Sequence, residues 1–535
     1  MGALPRITIA ALGFVSCTSA LRHVKRSEHA IVYVDDFIPV FRDVSVQPTL
    51  KLLPNMSMAA IYGPAVHVGD PRFITEDAPE SLIAHKSIND CIHCDRDDCR
   101  IMSNSSHAGS ATRAPTRAEK NAHEDSVHFC QYNLETLMLG KWEMSPFRVP
   151  SEEECQSAGT ACIVVLPTFI SYLLEIDGNR WDALTGQSKH SSDYTTGYTK
   201  YWTALREKWF QPAAGIMPLI VLHSSFANSE RRSAIMLNTL AKQPKEFQDR
   251  VVLANIDSIT ENGNLPAGWI DQAHDRLWLR ERRDPCDEAS QGPLLISLPY
   301  PSSVTQTGAF SSMQQTRARR INVLLSVSFK RLSPIRNKLI DDIQRRHDLA
   351  QPQHGHAHFL CAGGISTDHC GVPENQRHIW GLAVSSVFCI EPSGDTLSRS
   401  HLYVAVQTGC IPVIFNGGHK HFNGSVWAWQ ATRSPAIKPF LNYEEFTITF
   451  DAEDVLSGKV DVYDRLLDMQ RNDPSRIRSI QKKLDEIAPM MTYSMRSPTK
   501  ECLARDDLFN GCHDAFTLFH MLMDKEARRP ICNHI

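Results

Sequence analysis

Residues 386–418, SVFCIEPSGDTLSRSHLYVAVQTGCIPVIFNGG, set a strand, a glycine turn, a helix and a second strand in immediate succession. Positions 387–390 are a short apolar run, and Pro392-Ser393-Gly394-Asp395 is turn chemistry. Ser398 is suited to cap the helix that follows, with Arg399 in its first turn. The free amides and positive dipole end of such a helix favour an anion, and an arginine there adds a forked, charged contact to phosphate. Gly409-Cys410 stops the helix, and 411–415 reads as a buried strand. On geometry alone this unit fits any doubly wound nucleotide fold.

Outward from it, further strands alternate with helices. Strands are expected at 163–166, 219–222, 251–254, 294–297 and 321–327, and a helix at 334–346; Asp473-Pro474 supplies a cap and a first-turn proline for another helix running towards Met490. Such alternation implies parallel sheets. Tyr198, Tyr201, Trp202, Leu205 and Trp209 recur at helical spacing and read as core packing. Residues 76–125, rich in Ser, His, Asp and Arg, read as an irregular insertion without periodicity. A chain of 535 residues, 42% hydrophobic, has material for two cores. The α/β elements divide near Pro299-Tyr300-Pro301 into a lobe at 28–298 and a second at 299–490, followed by a helical tail at 491–535.

Charge narrows little. With 56 basic and 60 acidic residues the formal balance is -4, which gives no electrostatic case for a nucleic acid partner. Residues 1–20 carry Arg6 and an uncharged stretch ending in small residues, which reads as a secretory signal or a short signal anchor. Of the 15 cysteines, Cys17 falls in that segment and fourteen remain, an even number that can pair in an oxidising lumen. The set Cys91, Cys94, Cys99 with His93 has a metal-like spacing but is read as disulfide-forming in that compartment. Asn55, Asn104 and Asn423 head glycosylation sequons.

The wording of the 386–418 stretch resembles the donor-site signature of the exostosin glycosyltransferases, glycosyltransferase family 47. Cys389, Pro392, Gly394, Asp395, Arg399, Gly409, Cys410, Ile411, Pro412 and Val413 match in register. The likeness continues in order elsewhere: 31–36 is similar to the family's opening strand, 132–146 to its helix and "SP-R" turn, 219–223 to a strand ending in histidine, 299–301 to its "PYP" turn and 454–458 to a segment behind the donor site.

The resemblance implies a GT-B fold, two Rossmann-like lobes whose parallel sheets face a central cleft, and an inverting glycosyltransferase of the Golgi lumen. Such an enzyme moves a sugar from a nucleotide-sugar donor, a UDP-sugar foremost, to a glycan or polysaccharide acceptor. The diphosphate that leaves must be met by cations and helix amides. Arg399, Ser398, Gly394, Asp395 and Glu391, with Lys330 and Arg331 in the family's basic loop, are the donor-side candidates, and they are expected to serve without a metal cofactor. The Asp95-Arg96-Asp97 pattern, in the cysteine-rich insertion and far in sequence from any donor strand, is discounted as a manganese site. Inversion needs one base. Asp35, Asp36 and His223 are the candidates, and the residues do not choose among them.

Two departures stand out. Val404 occupies the place where the family carries a carboxylate for the donor ribose, and Ser224 follows His223 where the family often has Asp. They leave open a non-catalytic member that binds glycan or partners an active transferase in a homo- or hetero-oligomer.

Overall fold

Period-two burial organises the first lobe. The computed structural model describes residues 29–35, 138, 141–142, 145–166, 191–224, 231–255, 292–300, 319, 321–327, 333–349, 356–360, 382–392, 399–416, 443–493, 499–503 and 514–529. Strands β1 (Ile31–Val34), β2 (Cys162–Leu166), β3 (Leu219–Ser224), β4 (Val251–Asn255) and β5 (Leu294–Ser297) pair in parallel in simple sequential order. Along each strand successive side chains go to opposite faces. Cys162, Val164, Leu166, Ile220, Leu222, Val251 and Leu253 pack on one side, and Ile163, Val165, Leu219, Val221, Val252 and Ala254 on the other.

A sheet that always adds its next strand on the same side, by right-handed crossovers, carries all its crossover helices on one face. Three helices obey it. Helices α1 (Glu152–Ala158), α2 (Ser191–Trp209) and α3 (Arg231–Leu240) contribute Cys155, Trp202, Leu205, Trp209, Leu237 and Leu240 to the first face, so the aromatic stripe of α2 is core. The opposite face receives helical residues 138 and 141–142 of the β1–β2 connection, with Met138 and Trp142 in its core. It is also covered by a helix from the far end of the chain, which supplies Phe516, Phe519 and Met523.

The second sheet is wound differently. Strands β6 (Ile321–Ser326), β7 (His356–Leu360), β8 (Ser386–Ile390), β9 (Ile411–Asn416) and β10 (Ile448–Asp451) lie in the order β10-β9-β8-β6-β7, all parallel. The chain leaves β6 for β7 on one side, then returns to place β8 on the other, so the winding reverses between β6 and β8. Helices therefore lie on both faces: α4 (Pro334–Leu349), α5 (Ser400–Thr408), α6 (Val462–Asn472) and α7 (Pro474–Ile487). Gly409 ends α5 in the left-handed conformation, φ 65°, as its position implied. Asp473 caps α7 through the amide of Arg476, with Pro474 in the first turn. The architecture is the expected α/β GT-B type.

Two disulfides join described residues, Cys155–Cys162 in the first lobe and Cys389–Cys410 in the second. The second ties the end of β8 to the junction of α5 and β9, so it staples together the unit from which the sequence analysis began. The last helix, α8 (Ala515–Ala527), is fastened to the first lobe by polar contacts as well. Asp524 accepts from the amide of Ala30 at 2.5 Å, Lys141 pairs with Asp514 at 3.2 Å, and Arg529 pairs with Asp249. Among the described residues no helix is long and apolar enough to cross a membrane. Residues 1–20, the 76–125 insertion with its cysteine cluster, and Asn55, Asn104 and Asn423 lie outside the described residues.

Candidate donor site

A sheet whose winding reverses leaves a crevice outside the carboxyl ends of the two strands where it does so, because the flanking connections depart to opposite faces. Here those strands are β6 and β8. Their carboxyl ends carry Ser326 and, one residue past β8, Glu391; the helix α5 that follows brings Arg399 to the same edge. Arg399 donates from Nη1 to Glu391 Oε2 at 3.2 Å and from Nη2 to the carbonyl of Ser326 at 2.9 Å. The pair is largely withdrawn from solvent, with side chains 15% and 7% exposed. Guanidinium has five N–H donors. Two are used, and the others remain to take an incoming ligand.

Arg399 differs in detail from its expected position. The helix starts at Ser400, and Arg399 itself is the capping residue, extended at φ -136° with no side-chain cap bond. An extended cap points the side chain back across the strand ends instead of along the helix, which is how it reaches Ser326. Gly394, Asp395, Ser398, Lys330 and Arg331 lie outside the described residues.

Three groups that sequence reasoning did not single out join this edge. Arg336, buried in the first turn of α4, acts electrostatically on Glu391 together with Arg399. His401 is held down to about 3, first by burial and then by the Arg399 charge, despite a hydrogen bond to the Ser326 backbone. Tyr300, in the crossing from the first lobe, lies tilted against Tyr403 of α5 with ring centroids 5.8 Å apart and acts on Arg399. His401 was visible in the quoted stretch, but neutral histidine beside arginine has no sequence signature. Burial raises the Glu391 carboxyl to about 7, against the pull of Arg399 and Arg336, so desolvation outweighs the ion pair here. Burial likewise lowers Arg399.

Val404 is not part of that edge. It is buried with Leu324, Ala383, Cys389 and Cys410, beneath the disulfide. No other residue of α5, SHLYVAVQT, is acidic, so Glu391 is the carboxylate that the described part of this edge offers.

The first-lobe candidates are engaged in other contacts. Asp35, fully buried past the end of β1, accepts from Lys208 Nζ at 3.0 and 3.1 Å and from Trp209 Nε1 at 2.6 Å. His223 accepts from Trp142 Nε1 at 2.9 Å through Nε2, which fixes the neutral ring with its proton on Nδ1, and it packs on Phe519. Burial lowers it to about 3. Asp36 lies outside the described residues.

A pH dependence of stability follows from two of these buried rings. His223 falls to about 3 and His520, bonded to Ser145 Oγ at 2.9 Å, to about 4, both chiefly by burial. The unfolded chain binds protons near pH 6.5 that the folded rings refuse, so their contribution is complete above about pH 6.5 and is lost as pH falls towards 4. Glu391, raised to about 7, has the opposite sign: its contribution is complete below the ordinary carboxylate range and is lost as pH rises through 7. His401, held to about 3, acts in the same direction as the first two rings, so Glu391 offsets about one histidine of three. Denaturant unfolding should therefore show lower stability at about pH 5 than at about pH 7; a flat or rising profile on acidification contradicts the neutral rings.

Two parallel α/β lobes, the second with a polar strand-end site at its winding reversal, define the GT-B class. Within it, residues 274–464 match the Exostosin GT47 domain, and the second lobe's β6 to β10 and the site fall inside the matched stretch. The chain is 23% identical over 145 residues to the xyloglucan galactosyltransferase MUR3 of Arabidopsis thaliana, covering 26% of this chain and 21% of that protein. It is 26% identical over 141 residues to the probable xyloglucan galactosyltransferase GT12, covering 26% and 24%, and 22% identical over 209 residues to the probable xyloglucan galactosyltransferase GT15, covering 38% and 40%, both of the same plant. The chain thus spans well under half the length of these relatives.

Proposed function

We propose that the protein is an inverting glycosyltransferase that moves a sugar from a nucleotide-sugar donor, a UDP-sugar, to a glycan or polysaccharide acceptor in the lumen of the secretory pathway. The observation that carries this reading is Arg399, held at the winding reversal of the second sheet by Glu391 and Ser326 with donors to spare. A leaving diphosphate gains negative charge, and a preset guanidinium beside helix amides stabilises it most where water is excluded. On this reading Arg399 and the α5 amides serve without a divalent metal. The galactosyltransferase relatives make UDP-galactose the first donor to try.

Calorimetry with UDP-galactose and GDP-sugars, followed by product analysis with xyloglucan oligosaccharides in the presence and absence of EDTA, tests this directly. Saturable UDP-sugar binding and an EDTA-resistant, anomerically inverted product are expected. Failure of every nucleotide sugar to bind removes the donor-site reading.

One observation favours a second reading, a non-catalytic member that binds glycan or partners an active transferase. Asp35 is locked by Lys208 and Trp209, and His223 is buried and neutral, so neither is free to take an acceptor proton. Nucleotide binding without turnover would select it, and Asp36→Asn then has no activity to remove.

A further inference from the structure

Glu391 and Arg399 form a buried ion pair at a site that must accept two further negative charges. Resting on the donor-site reading above, we propose that loading of a diphosphate ester at Arg399 is coupled to the uptake of one proton from solvent by the Glu391 carboxylate.

The argument is one of charge in a closed space. The groups that face the pair come from every neighbouring element described: Arg399 at the cap of α5, His401 in its first turn, Arg336 in the first turn of α4, and Tyr300 from the crossing between lobes. Among the described residues Arg399 and Arg336 act on the one carboxylate, and the His401 imidazole is neutral near pH 7. A diphosphate ester brings two negative charges to the guanidinium that Glu391 already engages. Partly buried charge is weakly screened, so a dianion beside that carboxylate is costly. A proton on Glu391 removes the repulsion.

The geometry makes Glu391 the acceptor of that proton. Its Oε2 is bonded to Nη1 of the same guanidinium that the diphosphate engages, at 3.2 Å. If the ligand draws Arg399 away, the carboxylate loses the stronger of its two counter-charges; if Arg399 stays and uses its remaining N–H groups, the carboxylate has a dianion beside it. Both routes favour the acid form, and the protonated carboxyl gains an O–H donor that can be turned to a phosphate oxygen. Burial has already brought the empty-site carboxyl to about 7, so the ligand needs to raise it only modestly for the change to fall near neutral pH. His401 is the competing acceptor: the same dianion also raises it, but from about 3.

Calorimetry with UDP-galactose in two buffers of different ionisation enthalpy counts the protons, because its diphosphate ester does not titrate near neutral pH. Wild-type protein is expected to take up most of one proton at about pH 8 and little at about pH 6, where the empty carboxyl is already protonated, with affinity falling up to tenfold per pH unit between. Glu391→Gln should bind with no uptake and with an affinity flat in pH, whereas His401→Gln should keep the uptake. Zero uptake or proton release by the wild type overturns the proposal without needing a variant. Equal uptake in Glu391→Gln also overturns it. Absence of any UDP-galactose binding removes the donor-site reading and this proposal together, whereas binding without uptake removes this proposal alone.

Discussion

Arg250→Ala should destabilise the folded protein by about 3–5 kcal/mol, the combined cost of several unpaired carbonyls and the cavity left behind. Arg250 immediately precedes β4 and is almost wholly buried. Its Nε donates to the Met217 carbonyl at 3.1 Å, Nη1 to Glu526 at 3.3 Å, and Nη2 to Thr160 and Ala527, both at 3.1 Å. The last turn of a helix leaves carbonyls without intrahelical partners, and a cation there also opposes the negative end of the dipole. One guanidinium thus closes the end of α8, the approach to β3 and the turn after α1. Truncation strands four carbonyls, two of them in fully buried bonds, and leaves a cavity of arginine size. Denaturant titration gives the number, and limited proteolysis should release α8 first. A loss under about 1 kcal/mol would mean that water replaces the guanidinium adequately. Arg319 is built alike in the second lobe, donating to the carbonyls of Ala383, Ser386 and, at the end of α5, Thr408.

Arg399→Ala should lower transfer by about 10²–10³-fold, the range for losing one preset donor to developing negative charge. Stability is a separate matter. The variant leaves Glu391 with Arg336 alone as its described counter-charge, and burial then holds the carboxyl in its protonated form near pH 7 instead of unfolding the lobe. Arg399→Lys recovers little, because one ammonium cannot span Glu391, Ser326 and a diphosphate in the fork geometry of guanidinium. Single-turnover rates with saturating nucleotide sugar separate this from simple loss of affinity. A folded alanine variant with undiminished turnover would take Arg399 out of the reaction.

The sequence was most legible where one rule sufficed. Apolar runs bounded by turn residues gave seven strands of the expected sheets to within a residue or two, and Gly409 and Asp473-Pro474 marked helix ends by their own backbone chemistry. Two edge strands escaped. HAHFL of β7 alternates histidine with small and aromatic residues, and ITFD of β10 is short and buries only one face, so neither carries the apolar run of a central strand. Arg399 was read from the sequence as an anion-contact candidate, but its role as the cap was not legible, since cap identity depends on backbone angles. Its bond to Glu391 was likewise hidden, because eight residues and a turn separate them. Val404 shows the limit of reasoning by resemblance: its place in the pattern suggests a ligand, whereas its neighbours are Leu324 and a disulfide. The Arg250 network had no local sign at all. Its partners are up to 277 residues away.

That distance bears on how the chain is made. The five strands of the first sheet end at Ser297, yet the helix that covers their second face begins at Ala515. At roughly 5–20 residues per second, synthesis of the intervening stretch takes on the order of 10–40 s. Throughout that interval Ile163, Val165, Val221 and Val252 have nothing from the tail to cover them. The lobe translated first is therefore the lobe finished last. A nascent chain of this kind needs its exposed sheet face shielded by something else while the second lobe, whose strands and helices are closer in sequence, assembles ahead of it.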